Sequence, residues 1–474
     1  MLSQPRNRQA VIAQVTQRYE PGVIALHLQP IIAEALAICK QDKYRKGTIL
    51  NPVLVIWFVI MSTMRRDLSY PAVLNWMISG LRWIECNLPK KLIADGAITH
   101  ARKRLGLKVF PIILNSLVEK LMPWKPDFHE WVTVVFDGST ASMPDTESNC
   151  SKFKKSRAGR GESAYPQLRL VTLLGVATRL VIGVAYGPCR GTGTGERNLV
   201  MQIIKQVNYR QLLVLMDAGL GSFTMMKALQ KQQWEFVVKA ATHHHLPRNQ
   251  SRLTDGSYLC KLSREVKQKK AAKQQPPNQS QSETLIVRVI EYQIPGFRSQ
   301  RLVTSIIDPK ITAKELVIHY HKRWDIELSF DEIKTHQCAT LRGQIPTVFR
   351  SKLAELVEQE LYGMLIGYNL VRGLMCSAAS VYEQDPLLLS FLESLQVIID
   401  AVPLISAAPS CQKDASYAYL LSLLAESEID RPARPRINPR VVKIKLSKFP
   451  RKTKKHRGEY RAIQQELRIV PLAA

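Results

Sequence analysis

The sequence predicts an α/β protein with helices before and after a sheet, and three features carry that reading. Two short apolar runs, Trp131–Phe136 (WVTVVF) and Gln211–Met216 (QLLVLM), each lead straight into an aspartate, Asp137 and Asp217. Short runs of this kind, rich in β-branched or leucine side chains and without alternation, mark strands buried on both faces. The third feature is Thr312–Lys334 (TAKELVIHYHKRWDIELSFDEIK), where Thr312 and Glu315 form a capping-box pattern at the head of a long helix-forming run.

Charge narrows the partners before any motif is read. The 474 residues hold 67 Lys and Arg against 39 Asp and Glu, a net charge of +28. Such an excess says little about fold but implies a polyanionic partner, nucleic acid before an acidic membrane surface. The basic residues are spread along the chain without an amphipathic anchor, which disfavours the membrane surface. The eight cysteines are never closer than 35 residues and form no CxxC, so neither a zinc knuckle nor a redox pair is indicated. The first residues are polar and basic, without the apolar region of a signal peptide. The longest apolar run, Val53 to Met61, is too short to span a bilayer. The expectation is a soluble, cytoplasmic protein with unpaired core thiols.

Residues 1–125 read as a helical N-terminal domain, with Val23–Lys40, Pro52–Met64 and Tyr70–Ser79 broken at prolines. Ile98–Leu105 is a short basic helix carrying Arg102, Lys103 and Arg104 and stopped by Gly106. These three are candidate DNA contacts, in a helical domain suited to recognising DNA ends. An α/β core is expected over 126–240 and 306–400, interrupted by a β-rich insertion over 241–305. Within the core, Lys152–Arg160 reads as a basic loop, Leu168–Leu174 and Leu180–Tyr186 as strands, and Glu196–Val207 as a helix. Phe223–Gln232 reads as a helix and Trp234–Ala240 as a strand. The glycine-rich Gly187–Gly195 lacks the lysine of a phosphate loop, so no nucleotide cofactor is expected. His243–His245 reads as a turn rather than a metal site. The insertion contributes strands at Thr284–Tyr292 and Arg301–Ile307, and helices follow at Glu355–Cys376 and Pro386–Ala401. The C-terminal region, 401–474, contains a basic arm over 431–457 with twelve Lys and Arg, four prolines and no acid. That composition cannot bury a core and suits an extended arm along phosphates.

Thr312–Lys334 is read as the start of one helix running from about Ala313 to about His336. At about 100° per residue, Tyr320, Arg323, Glu327 and Lys334 then share a stripe roughly 60° wide. Ile326, Phe330 and Ile333 form an apolar stripe beside it. Taken alone this is a solvated face with ion pairs Arg323–Glu327 and Asp331–Lys334. The rest of the chain changes its meaning. The order strand–strand–strand–helix–strand–helix–strand, then a later helix, is that of a ribonuclease-H-like core. There the first acid lies on the first strand, the second just past the fourth, and the third on a helix packed against the sheet. Asp137, Asp217 and Glu327 occupy those places, with Asp331 as second choice for the helix carboxylate. Three converging carboxylates repel one another unless cations bridge them, and oxygen-only ligation suits Mg²⁺ or Mn²⁺. Two such ions form a clamp for in-line attack at phosphorus.

Tyr320-x2-Arg323-x3-Glu327-x6-Lys334 resembles the Y-R-E-K signature of bacterial insertion-sequence DDE transposases of the insertion-sequence-four family. Asp137 in VVFDGST and Asp217 in LVLMDAG resemble that family's first two acidic motifs, and the resemblance covers most of the chain. It implies metal-dependent cleavage at the terminal inverted repeats of a mobile element, then joining of the freed 3′-OH to target DNA. Asp137, Asp217 and Glu327 would be both catalytic residues and ligands of two Mg²⁺ or Mn²⁺ ions. Tyr320, Arg323 and Lys334 would contact DNA, as would Arg451, Lys452, Lys454 and Lys455 of the tail. A homodimer on double-stranded DNA and a nucleoid-associated place in a bacterial cytoplasm are implied as well. Some relatives stack a flipped base on an aromatic of the insertion; Trp234 is the candidate here, and a core tryptophan the plainer reading. The alternatives are a nuclease of the same fold without strand transfer, or a domesticated DNA-binding protein.

Overall fold

The computed structural model describes residues 22–45, 48–80, 93, 96–158, 161–241, 244–265, 282–295, 297–326, 329–330, 332–333, 337, 348–429, 436–437 and 461–462. In chain order the elements begin with α1 (Gly22–Ile38), α2 (Pro52–Met64), α3 (Tyr70–Met77), α4 (Ala97–Leu105) and α5 (Val109–Leu121). Then come β1 (Val132–Ser142), α6 (Glu147–Phe153), β2 (Lys155–Ala158), β3 (Gly161–Gly175), β4 (Val181–Pro188) and α7 (Glu196–Gln206). They continue with β5 (Leu212–Met216), α8 (Phe223–Lys231), β6 (Glu235–Lys239), β7 (Tyr258–Glu265), β8 (Ser282–Tyr292) and β9 (Gln300–Thr304). Last are α9 (Ala313–His321), a 3₁₀ segment (Lys322–Ile326), α10 (Ala354–Val381), α11 (Phe391–Ala407), α12 (Lys413–Ala425), β10 (Arg436–Ile437) and β11 (Arg461–Ala462).

The chain forms two compact units that do not follow sequence order. One comprises 1–124, 137–200 and 326–430; the other 125–136, 201–325 and 431–474. β1 belongs to both, because the boundary falls between Phe136 and Asp137.

In the first unit the N-terminal and C-terminal helices share a core centred on α10. By length and composition this 28-residue helix could cross a membrane, but 78% of its apolar window is buried. It packs on α2, whose residues from Leu54 onward are all buried, as its uniformly apolar sequence requires. Asn51 starts α2 by accepting from the Leu54 N–H at 2.9 Å, with Pro52 in the first turn. A Cβ at Gly363 would stand 2.8 Å from Val59 Cγ1, so glycine there permits the close approach of α10 to α2. In the same unit β3 pairs antiparallel with β2 and β4, and α10 ties to β4 through Asn369, which exchanges two 2.9 Å hydrogen bonds with the Val181 backbone.

In the second unit β1, β5 and β6 are parallel, and β9, β8 and β7 continue the sheet antiparallel from β6. The expected insertion therefore extends the sheet beyond β6, adding β7, which the sequence reading left unassigned. A buried guanidinium binds this extension to the head of α9. Arg288 on β8 pairs with Asp255 and donates to the Ile311 carbonyl at 2.7 Å, while Asp255 also accepts from the Ala313 N–H at 2.7 Å. β4, β3, β1, β5 and β6 follow one another as hydrogen-bonded neighbours, the ribonuclease-H-like strand order. The protein is thus mixed α/β, with helices before and after that core in the chain.

Several expectations need correcting. β1 does not stop at Asp137 but runs to Ser142; β5 ends at Met216, so the later residues of β1 lose that neighbour and stay next to β3. The basic stretch from Lys152 is the end of α6 followed by the β2–β3 hairpin, not a loop; Thr146 caps α6 by accepting from the Asn149 N–H. α11 starts at Phe391, where Ser390 caps it, rather than at Pro386. The single helix expected over 313–336 is interrupted at 322–326, although 329–330 are helical again. α9 ends at His321 and tightens into the 3₁₀ segment, whose spacing of about 120° per residue ends the 100° register.

Candidate active site

β5 is buried at every residue, and Asp217, the next residue, is exposed. A turn holds the carboxylate at the strand end: the Leu220 N–H donates to Asp217 Oδ1 at 3.2 Å. A Cβ at Gly219 would lie 3.2 Å from that same oxygen, so a glycine leaves the carboxylate room. Beneath it, the Tyr320 hydroxyl donates to the Met216 carbonyl at 3.1 Å.

Tyr320 is 2% exposed, which corrects the expectation that it lies on a presented DNA-contacting face. It completes the inward stripe of α9, Ala313, Leu316, Val317 and Tyr320, spaced i, i+3, i+4, i+7. Burial pushes its phenol pKa up, with the Arg323 charge acting the other way. Arg323 itself is half-buried in the 3₁₀ segment, its guanidinium 4.8 Å from the ring of Trp324, which is 44% exposed, and 5.9 Å from that of Tyr320.

Sequence reasoning missed Lys239, the last residue of β6. Met216 pairs with Val238, so Lys239 is one position further along, in register with Asp217. Burial lowers its ammonium pKa, the Arg323 charge lowers it further, and Asp217 opposes both. The signal in the sequence was a lysine next to the end of the strand run Trp234–Ala240, which follows a run that leads into an acid.

Asp137 is half-buried, and the Gly138 N–H donates to its Oδ1 at 2.9 Å. The Glu196 side chain, from the first residue of α7, reaches the same place: its Oε1 would lie 2.6 Å from a Cβ at Gly138, so a side chain there would displace that carboxylate. The first turn of a helix favours an acid there. The β1–β5 register runs from Val132↔Leu212 to Val135↔Leu215 at a constant offset of 80 residues, the offset that also separates Asp137 from Asp217.

Arg102 is 1% exposed. It donates to the Leu356 carbonyl at 2.7 Å, to Tyr70 at 3.1 Å, and to Ser351 and Gln359 at 3.2 Å. It is therefore a strut of the helical core, which corrects its assignment as a DNA contact. Lys103 and Arg104, on the other face of α4, are exposed. Trp234 is 1% exposed and donates to the Tyr209 carbonyl, a core tryptophan rather than a stacking surface. Glu327, Asp331, Lys334, Arg451, Lys452, Lys454 and Lys455 lie outside the described residues, as does His243.

Asp137 and Asp217 offer only carboxylate oxygens, which fit a hard divalent cation rather than a soft one. Among the described residues no group of three acidic, histidine or cysteine side chains comes together to hold a metal.

A family model described as a transposase DDE domain matches residues 131–370, just over half of the chain. One for the insertion element 4 transposase N-terminal region matches residues 22–113. The chain is 28% identical over 448 residues to the transposase InsG for insertion sequence element IS4 of Escherichia coli (strain K12), covering 90% of this chain and 93% of that protein. Among solved structures it matches a piggyBac transposase synaptic complex with hairpin DNA at 13% identity and a TM-score of 0.41, over 89% of this chain and 86% of that one. The chain belongs to the DDE transposases of the IS4 family.

Proposed function

We propose that this transposase cuts DNA at the ends of an insertion sequence and joins the freed 3′ ends to target DNA, using Asp137, Asp217 and Glu327. The observation that carries the reading is the shared offset: Asp137 and Asp217 each lie two residues past Val135↔Leu215, the last pair of the parallel β1–β5 register. Glu327 supplies the third carboxylate from the signature that begins at Tyr320. Together they would hold two Mg²⁺ or Mn²⁺ ions, which when bound activate the attacking oxygen and stabilise the leaving one.

The chain's own groups do the rest. Tyr320 fixes the Met216 carbonyl and with it the backbone leading into Asp217. Arg323, Lys334 and Lys239 supply positive charge for the phosphates flanking the scissile bond. In the first step water attacks the phosphorus, the P–O3′ bond breaks, and the element end keeps a 3′-OH. In the second that hydroxyl attacks a target phosphodiester, displacing the target's own 3′-oxygen. Lys103, Arg104 and the tail cations Arg451, Lys452, Lys454 and Lys455 bind the DNA backbone outside the reacting region. Two ends must be processed together, so the working form is a homodimer on double-stranded DNA, acting at the nucleoid in the bacterial cytoplasm.

The test is incubation of the protein with labelled DNA carrying the element ends and a target plasmid, in Mg²⁺ and in EDTA. Cutting and joining only with Mg²⁺ is expected. Cutting without joining would leave a nuclease of this fold, and binding without cutting a domesticated DNA-binding protein; either result overturns the proposal.

A further inference from the structure

Two cations and one carboxylate meet in the interior of the first unit. Glu332 is 6% exposed and accepts from Arg179 at 2.7 Å, from Arg372 Nε at 3.0 Å and from the Tyr368 hydroxyl at 3.0 Å. Arg372 also donates to it through Nη2 and is fully buried. Burial works most strongly against the Arg372 charge, but Glu332 and Tyr368 together outweigh it and raise the guanidinium pKa. Taking three ions out of water is expensive, and apolar side chains of equal volume usually hold a core at least as well. Stability alone therefore does not account for the cluster.

Its position in the chain does. Glu332 lies five residues after Glu327 and two before Lys334. Three residues past Lys334, Gln337 is 1% exposed and donates to the Met364 carbonyl at 2.9 Å. Its N–H reaches back to the Glu332 carbonyl at 2.8 Å, an i to i+5 bond. A Cβ at Gly367 would stand 3.1 Å from Gln337 Nε2, so a glycine opens the seat for this amide. Met364, Tyr368 and Arg372 are spaced i, i+4, i+8 and so line one face of α10. Arg179, in the turn between β3 and β4, ties the same carboxylate to the strand next to β1.

We infer that Glu332 is a positioning residue, a charged pin that fixes the segment bearing Glu327 and Lys334 onto α10 and the β3–β4 turn. This rests on the proposed roles of Glu327 and Lys334. A carboxylate held by two guanidiniums and a phenol accepts in directions fixed by all three donors. That sets both the depth and the rotation of the segment, where an apolar plug would set only its depth.

The test compares wild type with Glu332→Gln and Arg179→Gln in the full chain. Melting temperature, binding of end DNA, cleavage rate at saturating DNA, and hydrogen exchange of peptides covering 322–336 are measured. The expected Glu332→Gln protein is folded and binds end DNA within about twofold of wild type, but cuts at least about tenfold more slowly. Exchange should rise in that segment and stay unchanged in α2 and α5. Wild-type cutting by the folded variant would overturn the inference. So would a rate that falls only with the folded fraction, with no local change in exchange. If Glu332→Gln does not fold, Arg179→Gln, which keeps the Arg372–Glu332 pair, decides by the same readouts. A wild-type protein that cannot cut would sink the proposed activity, while the exchange data would still report whether Glu332 pins the segment.

Discussion

The Tyr320 hydroxyl donates to the Met216 carbonyl at 3.1 Å inside the core, one residue before Asp217. The tyrosine of the Y-R-E-K signature thus holds the backbone that leads into Asp217. Tyr320→Phe keeps the packing and removes that hydrogen bond, a loss of about 1 kcal/mol. Thermal unfolding should register this, and end cleavage should fall by about tenfold or more while end binding holds. A variant that binds DNA more weakly but cuts normally once bound would instead make Tyr320 a DNA contact.

Arg102 and Lys103 are neighbours in sequence with opposite roles. Arg102→Met removes a buried cation from four acceptors on α10, the chain just before it and α3, and should cost about 2–4 kcal/mol in denaturant unfolding. It should leave the salt dependence of DNA binding unchanged. Lys103→Ala should do the reverse, with stability unaltered and the slope of log affinity against log salt smaller by about 1. Equal salt slopes for wild type and Lys103→Ala would remove Lys103 from the interface.

The same pair shows what the sequence could reveal. Helical periodicity located α4, and its stop at Gly106 is matched by a φ of +68° there. Three adjacent basic residues, however, look alike in a sequence; only the groups around Arg102, which come from residues about 250 positions away, distinguish it. The strands β5 and β6 were legible because a short apolar run bounded by polar residues has few other readings. The long helix was misread at 322–326, where the chain tightens into a 3₁₀ turn before 329–330 are helical again, since a continuous helix and a tightened turn share the same local propensities. Lys239 was overlooked because its meaning depends on pairing with β5. Glu332 was overlooked because one more acid in a charged stretch carries no sign of burial.

Acid should weaken the second unit through two histidines. His319 stacks on Phe128 at 3.9 Å with its Nε2 2.7 Å from Thr133 Oγ1, and burial, then Lys322 and His129, push its pKa down to about 3. Burial, then Arg323 and Lys239, push His321 down to about 4. Unfolded, both titrate near 6.5, so below that pH the unfolded chain binds protons that the folded chain refuses. Their contribution is complete above pH 6.5 and is lost as pH falls toward 4, by up to about 1.4 kcal/mol per pH unit for each. Urea unfolding at pH 7.5 and pH 5 should show the drop, and His321→Gln should remove part of it. A stability independent of pH over that range would mean that these rings are protonated in the folded state.

In the proposed function Asp217, at the end of β5 beside the strand that leads into Asp137, performs chemistry rather than binding. Asp217→Asn keeps the side chain's size and its acceptor for the Leu220 N–H. The most direct measurement is the single-turnover rate of end cleavage by wild type and Asp217→Asn in Mg²⁺, at DNA concentrations saturating for both. Cleavage reduced by at least about a thousandfold, with unchanged affinity for the ends, is expected. Cleavage at the wild-type rate by Asp217→Asn would contradict this role.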